Sequence, residues 1–181
     1  MIYNLRLGRL DMKKNKNIYL IGLMGSGKTT LGKILSKKLG KTFFDSDQVI
    51  EEKLGVDVTL IFEYEGEAGF RKREKEILKE LVSKKNIVLA TGGGAILSEL
   101  NRNLLRENGT VIYLKSDYKD LVLRMKNDKT RPLLKEGDVE SVIKKLCNER
   151  EPFYESISDF EVTTKNKRIP EIINEIIKLT K

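Results

Sequence analysis

Apolar residues along this chain alternate between two spacings. Short runs at Asn17-Ile18-Tyr19-Leu20-Ile21, Thr42-Phe43-Phe44, Ile87-Val88-Leu89-Ala90, Thr110-Val111-Ile112-Tyr113-Leu114 and Phe160-Glu161-Val162-Thr163 predict five strands. The unbroken Ile87–Ala90 run argues for burial on both faces of a parallel sheet. Between the runs, apolar positions recur every three or four residues. They do so at Leu31, Ile34, Leu35 and Leu39 until Gly40, at Val49, Ile50 and Leu54 until Gly55, and at Phe70, Ile77, Leu78, Leu81 and Val82. Val58 to Tyr64 predicts a short helical connection before a longer helix opening at Gly66-Glu67. Further helices follow at Leu100 to Arg106, at Leu121, Val122 and Met125, and at Val139, Ile143, Leu146 and Cys147. A last one carries Ile172, Ile173, Ile176 and Ile177, with Pro170 in its first turn. Strands alternating with helices imply an α/β sandwich of three layers around a five-stranded, mainly parallel sheet. Residues 17–181 form one domain on this reading; residues 1–16 lack periodicity and read as a loose extension, with Met12 a second candidate start. The polar stretch at about 126–137, with Arg131-Pro132 at its centre, is too long for a minimal connection and reads as a mobile lid.

The chemistry begins between the first strand and the first helix. Gly22-Leu23-Met24-Gly25-Ser26-Gly27-Lys28-Thr29 matches the P-loop spacing, in the strand, loop, helix context the motif requires. Backbone N–H groups and the helix N-terminus face an anion there; Lys28 reaches the outer phosphates and the Thr29 hydroxyl can ligate Mg²⁺. The second strand ends in Asp45-Ser46-Asp47. At the carboxyl edge of a parallel sheet these carboxylates stand beside the P-loop, where two roles are open: holding the metal through water, and orienting or deprotonating an attacking hydroxyl. Asp47 or Ser46 as a plain helix cap is the competing reading. No aspartate follows Ile87–Ala90, so Asp45 is the candidate to assist Thr29 with the metal.

Three inward groups remain. Glu74 falls on the apolar face of its helix with Arg71 three residues earlier, a spacing that suits a pair fixing the guanidinium for an anionic ligand. Thr91-Gly92-Gly93-Gly94 allows close approach to the backbone and offers N–H donors. Arg150 continues the stripe of Leu146 and Cys147, and needs an anion nearby unless it snorkels or serves the helix C-terminus before Pro152.

Composition narrows the classes. The 181 residues carry a net charge of +8, yet without a recognition motif or dense basic run, so small anionic ligands are favoured over nucleic acid. There is no histidine, which leaves proton transfer to carboxylates, lysine or water. The single cysteine, Cys147, forms no intrachain disulfide, and no apolar run is long enough to span a membrane; a soluble cytoplasmic protein is expected, acting as a monomer.

Together, Gly22 to Gly32, Asp45-Ser46-Asp47, Gly66-Glu67-Ala68-Gly69-Phe70-Arg71, Gly92-Gly93-Gly94-Ala95, Arg131-Pro132-Leu133-Leu134 and Arg150-Glu151-Pro152-Phe153-Tyr154 resemble the shikimate kinases, small P-loop kinases, from about Asn17 to the last helix. The resemblance implies phosphorylation of the shikimate 3-hydroxyl by ATP with Mg²⁺. It implies nucleotide contacts from Gly25, Ser26, Gly27, Lys28, Thr29 and Thr30, metal held by Thr29 and Asp45, and Asp47 as base and hydroxyl ligand. It further implies the acceptor's carboxylate and ring on Arg71, Arg150 and the Gly92–Gly94 backbone, Arg131 closing from the lid, and Arg124 and Pro170 flanking adenine. A kinase of another small acid, such as gluconate, and a non-catalytic nucleotide-binding protein are the other readings.

Overall fold

The computed structural model describes residues 17–126, 132–134 and 138–181. The expected N-terminal extension, Arg131 and most of the expected lid lie outside them. The elements run β1 (Asn17–Ile21), α1 (Lys28–Leu39), β2 (Thr42–Asp45), α2 (Ser46–Leu54), α3 (Val58–Ser83) and β3 (Ile87–Ala90). They continue with α4 (Glu99–Asn108), β4 (Gly109–Lys115), α5 (Tyr118–Met125), α6 (Val139–Ile157), β5 (Phe160–Thr163) and α7 (Ile169–Leu179). Short 3₁₀ turns occupy Ala95–Leu97 and Pro132–Leu134.

All strand pairs are parallel, in the order β2-β3-β1-β4-β5. The central strands bury both faces, as their unbroken apolar runs require: Ile18 and Leu20 pack with α1 and α7, while Tyr19 and Ile21 join the larger cluster beneath α3 to α6. With β1 at the centre and β3 and β4 beside it, the P-loop after β1 is flanked by the loops after its neighbours, and Asp45 ends the edge strand beyond β3.

The short helix at Val58 to Tyr64 and the longer one opening at Gly66-Glu67 are both present, joined end to end as α3 across a break at Gly66, whose φ of 67° and ψ of −179° only glycine adopts without strain. Two local expectations change. Asp45, not Ser46 or Asp47, caps α2: its Oδ1 accepts from the Asp47 N–H at 3.1 Å. Ser46 is fully buried and its Oγ accepts from the Gly92 N–H at 2.8 Å instead. Helix α6 does not end before Pro152 but runs through it to Ile157, because the residues beyond the proline, Tyr154 and Ile157, are anchored in the core. Arg150 therefore sits inside a helix, buried, and neither snorkelling nor a helix C-terminus explains it.

Candidate active site

Gly27 caps α1 with φ 91°, a left-handed turn that brings the loop back over the helix N-terminus. Lys28 is buried, and its Nζ donates to the carbonyls of Gly22 and Leu23, each at 2.8 Å, so the ammonium is held within the loop. Thr29 Oγ1 donates to Asp45 Oδ2 at 2.7 Å. The two groups expected to share a metal are thus adjacent, and both offer hard oxygen, the donor type Mg²⁺ takes. Residues Met24 to Leu31 line a cleft of about 930 Å³ together with Asp45, Asp47, Arg124 and the turn before α7. Arg124 also donates to the Gly25 carbonyl at 3.0 Å. Pro170 is exposed in the first turn of α7, next to Ile169, which lines the cleft with Lys167.

Behind this cleft lies a charged cluster assembled from three helices. Arg71 Nη1 donates to Glu74 Oε2 at 2.9 Å, the pairing the helix spacing implied, while Nε and Nη2 donate to Glu67. Burial opposes the guanidinium's charge, but Glu74 and Glu67 outweigh it and hold its pKa above the ordinary value. Glu74 is almost wholly buried. That burial pushes its carboxyl up to about 7, with Arg71 pulling it down, Asp47 of α2 pushing it up and Arg150 of α6 pulling it down. Glu74 Oε1 and Arg150 Nε are buried without a hydrogen-bond partner among the described residues, which leaves polar capacity open at this place.

The glycine triplet explains how these groups fit. A Cβ on Gly92 would lie 2.6 Å from Asp47 Oδ1 and 2.7 Å from Glu74 Oε1; one on Gly93 would press the P-loop at Met24 N, 3.2 Å away; one on Gly94 would fall inside the Arg71 guanidinium. The triplet is therefore a requirement for space at the meeting point of Asp47, Glu74, Arg71 and the P-loop. One part of the donor expectation is corrected: the Gly92 N–H is committed to Ser46, which binds β3's end to the start of α2.

Asp47 joins the two regions, because it lines the cleft while its Oδ1 lies beside Gly92 and Glu74. Arg71 and Arg150 are not among the described residues lining the cleft. Three contributors were not singled out from sequence: Ser46, Glu67, and Tyr154, whose hydroxyl donates to the Gly93 carbonyl at 2.6 Å while its ring stacks on Tyr113. Glu67, four residues before Arg71, was readable from helical spacing. Tyr154 and Ser46 carried no such signal.

Comparison with known proteins identifies the family. A family model described as shikimate kinase matches residues 24–181. A shikimate kinase of Legionella pneumophila (strain Corby) is 47% identical over 169 residues, covering 93% of this chain and 97% of its own length. The structure of a shikimate kinase from Acinetobacter baumannii in complex with shikimate superimposes with a TM-score of 0.89 at 41% identity, covering 94% of this chain and 96% of that one. A gluconokinase from Sinorhizobium meliloti 1021 is similar in fold alone, at 17% identity and a TM-score of 0.61, covering 93% of this chain and 95% of that one.

Proposed function

The chain belongs to the shikimate kinase family and carries out ATP-dependent phosphorylation of shikimate in aromatic amino-acid biosynthesis, and from that premise we propose how its own residues perform the transfer. The observation that carries the assignment is the buried cluster around the glycine triplet. Two guanidinium groups from different helices act there on one carboxylate, and Asp47, close enough to act on the same carboxylate, also lines the P-loop cleft. A small acid bearing hydroxyls supplies what that cluster lacks: an anion for Arg71 and Arg150, and an alcohol for Asp47.

In the proposed reaction Asp47 takes the proton of the shikimate 3-hydroxyl as its oxygen attacks the γ-phosphorus of ATP. The O–H bond breaks, the new O–P bond forms, and the bond to the β,γ-bridging oxygen breaks with its electrons leaving on ADP. Lys28 exchanges the Gly22 and Leu23 carbonyls for phosphate oxygens, and the N–H groups of Gly25 to Thr30 surround them. Thr29 and Asp45 would hold Mg²⁺, which when bound neutralises charge on the phosphates. Arg131, outside the described residues, is assigned from the sequence to the transferring phosphate. Arg124 and Pro170 flank the base, with Ile169 beside Pro170 in the cleft wall. Gly93 and Gly94 lie along the ring, with Tyr154 fixing the Gly93 carbonyl.

We also propose that the enzyme works as a cytoplasmic monomer without nucleic acid. No helix among the described residues is long and apolar enough to cross a membrane, and the positive charge is dispersed. The test is a coupled assay of the folded chain with ATP and Mg²⁺ against shikimate, gluconate and a nucleoside. Turnover of shikimate is expected; turnover of either of the others with shikimate untouched overturns the acceptor assignment.

A further inference from the structure

Two carboxylates of its own helix grip Arg71, and the grips differ in kind. Toward the interior Nη1 donates to Glu74 Oε2 at 2.9 Å, and the Glu74 side chain is 1% exposed. Toward the surface Nε and Nη2 both donate to Glu67 Oε1, at 3.1 and 2.9 Å, and the Glu67 side chain is 49% exposed. Gly94 packs against the guanidinium so closely that a Cβ there would force it to shift. The arginine is thus fixed from the inside. Its Nε and Nη2 fork, the edge that meets a carboxylate in a two-point contact, is held by an exposed residue directly after the kink at Gly66.

We propose that Glu67 is a placeholder for the carboxylate of the acceptor: it occupies the Nε and Nη2 fork of Arg71 and is displaced when that carboxylate binds. This rests on the reading that Arg71 binds the shikimate carboxylate. The exchange takes place at Glu67 because the alternative is too costly. Displacing Glu74 would leave a buried charge without its partner, whereas a released Glu67 is taken up by water. The incoming carboxylate also makes the better contact, since Glu67 serves both N–H groups with one oxygen and a carboxylate placed face to face with the fork offers one oxygen to each. Between encounters Glu67 keeps the guanidinium pointed correctly, at the cost of competing with the acceptor.

Glu67→Gln on the full chain tests this, because glutamine keeps the length and helix propensity but removes the charge. Calorimetric titration with shikimate should show Kd lower by about two- to fivefold, the range an exposed ion pair accounts for. An unchanged or higher Kd overturns the proposal. In an Arg71→Ala background the same substitution should leave Kd unchanged; equal tightening there would mean a long-range effect of charge and also overturn it. If Arg71→Ala alone leaves shikimate binding unaltered, the assignment of Arg71 to the carboxylate fails and the placeholder with it. If Arg71→Ala weakens binding but Glu67→Gln does not tighten it, the placeholder alone fails.

Discussion

Around the P-loop the groups proposed for phosphate are backbone N–H donors and one lysine, and each is positioned by residues within a few places of it in sequence: Gly27 turns the chain, and Lys28 folds back onto Gly22 and Leu23. Around the glycine triplet the groups proposed for the acceptor are side chains from α2, α3 and α6, distant in sequence and brought together by the fold. The first region is a local structure that carries its own anion site. The second exists only when three helices close on one loop, and it buries a carboxylate whose desolvation the neighbouring guanidinium groups offset only in part. Damage at the first should therefore appear in chemistry, and damage at the second in affinity, stability and pH dependence.

The largest effect is expected at the P-loop. Lys28→Ala should raise the barrier to transfer by on the order of 3 kcal/mol or more, read as kcat, with the fold intact. A folded variant with near-native kcat would remove Lys28 from the mechanism and blur the contrast between the two regions.

The second test asks whether the acceptor cluster costs stability. Glu74 rises from 4.5 to about 7 on folding, chiefly through burial, so the folded state binds its proton more tightly than the unfolded state. Stability from this group is full below pH 4.5, falls as pH rises between 4.5 and 7, and levels above 7. The loss is up to about 3 kcal/mol, one pKa unit being about 1.4 kcal/mol. With no histidine in the chain, few other groups titrate in the upper half of that window. Urea unfolding across the range should show the decline in the native chain and a flatter profile in Glu74→Gln. Parallel profiles would mean that Glu74 is satisfied as an anion.

The smallest effect concerns the guanidinium groups. Arg71→Ala and Arg150→Ala should each raise KM for shikimate about tenfold or more, roughly 1.4 kcal/mol of carboxylate binding, with the change in kcat smaller than in KM. Arg71→Ala should also lower the melting temperature, because Glu74 loses its hydrogen-bond partner. Equal losses of kcat and kcat/KM would place these arginines at the transition state and erase the division proposed here.

The amino-acid sequence by itself determined whatever depends on neighbours along the chain. The alternation of apolar runs set the five parallel strands and the layers around them. The P-loop spacing set the phosphate site, and Arg71 and Glu74 met because residues three apart on a helix always do. Only tertiary structure decided the rest. That Asp45 rather than Ser46 caps α2 depends on Gly92, 46 residues further on, claiming the serine hydroxyl. That Arg150 is buried inside a helix depends on Tyr154 reaching Gly93 and stacking on Tyr113, contacts that carry α6 through a proline which sequence reads as a stop. The glycine triplet shows the division most directly. Its flexibility is legible in sequence, but its purpose is the space that Asp47, Glu74 and Arg71 take up, and steric demand between distant segments leaves no periodic trace along a chain.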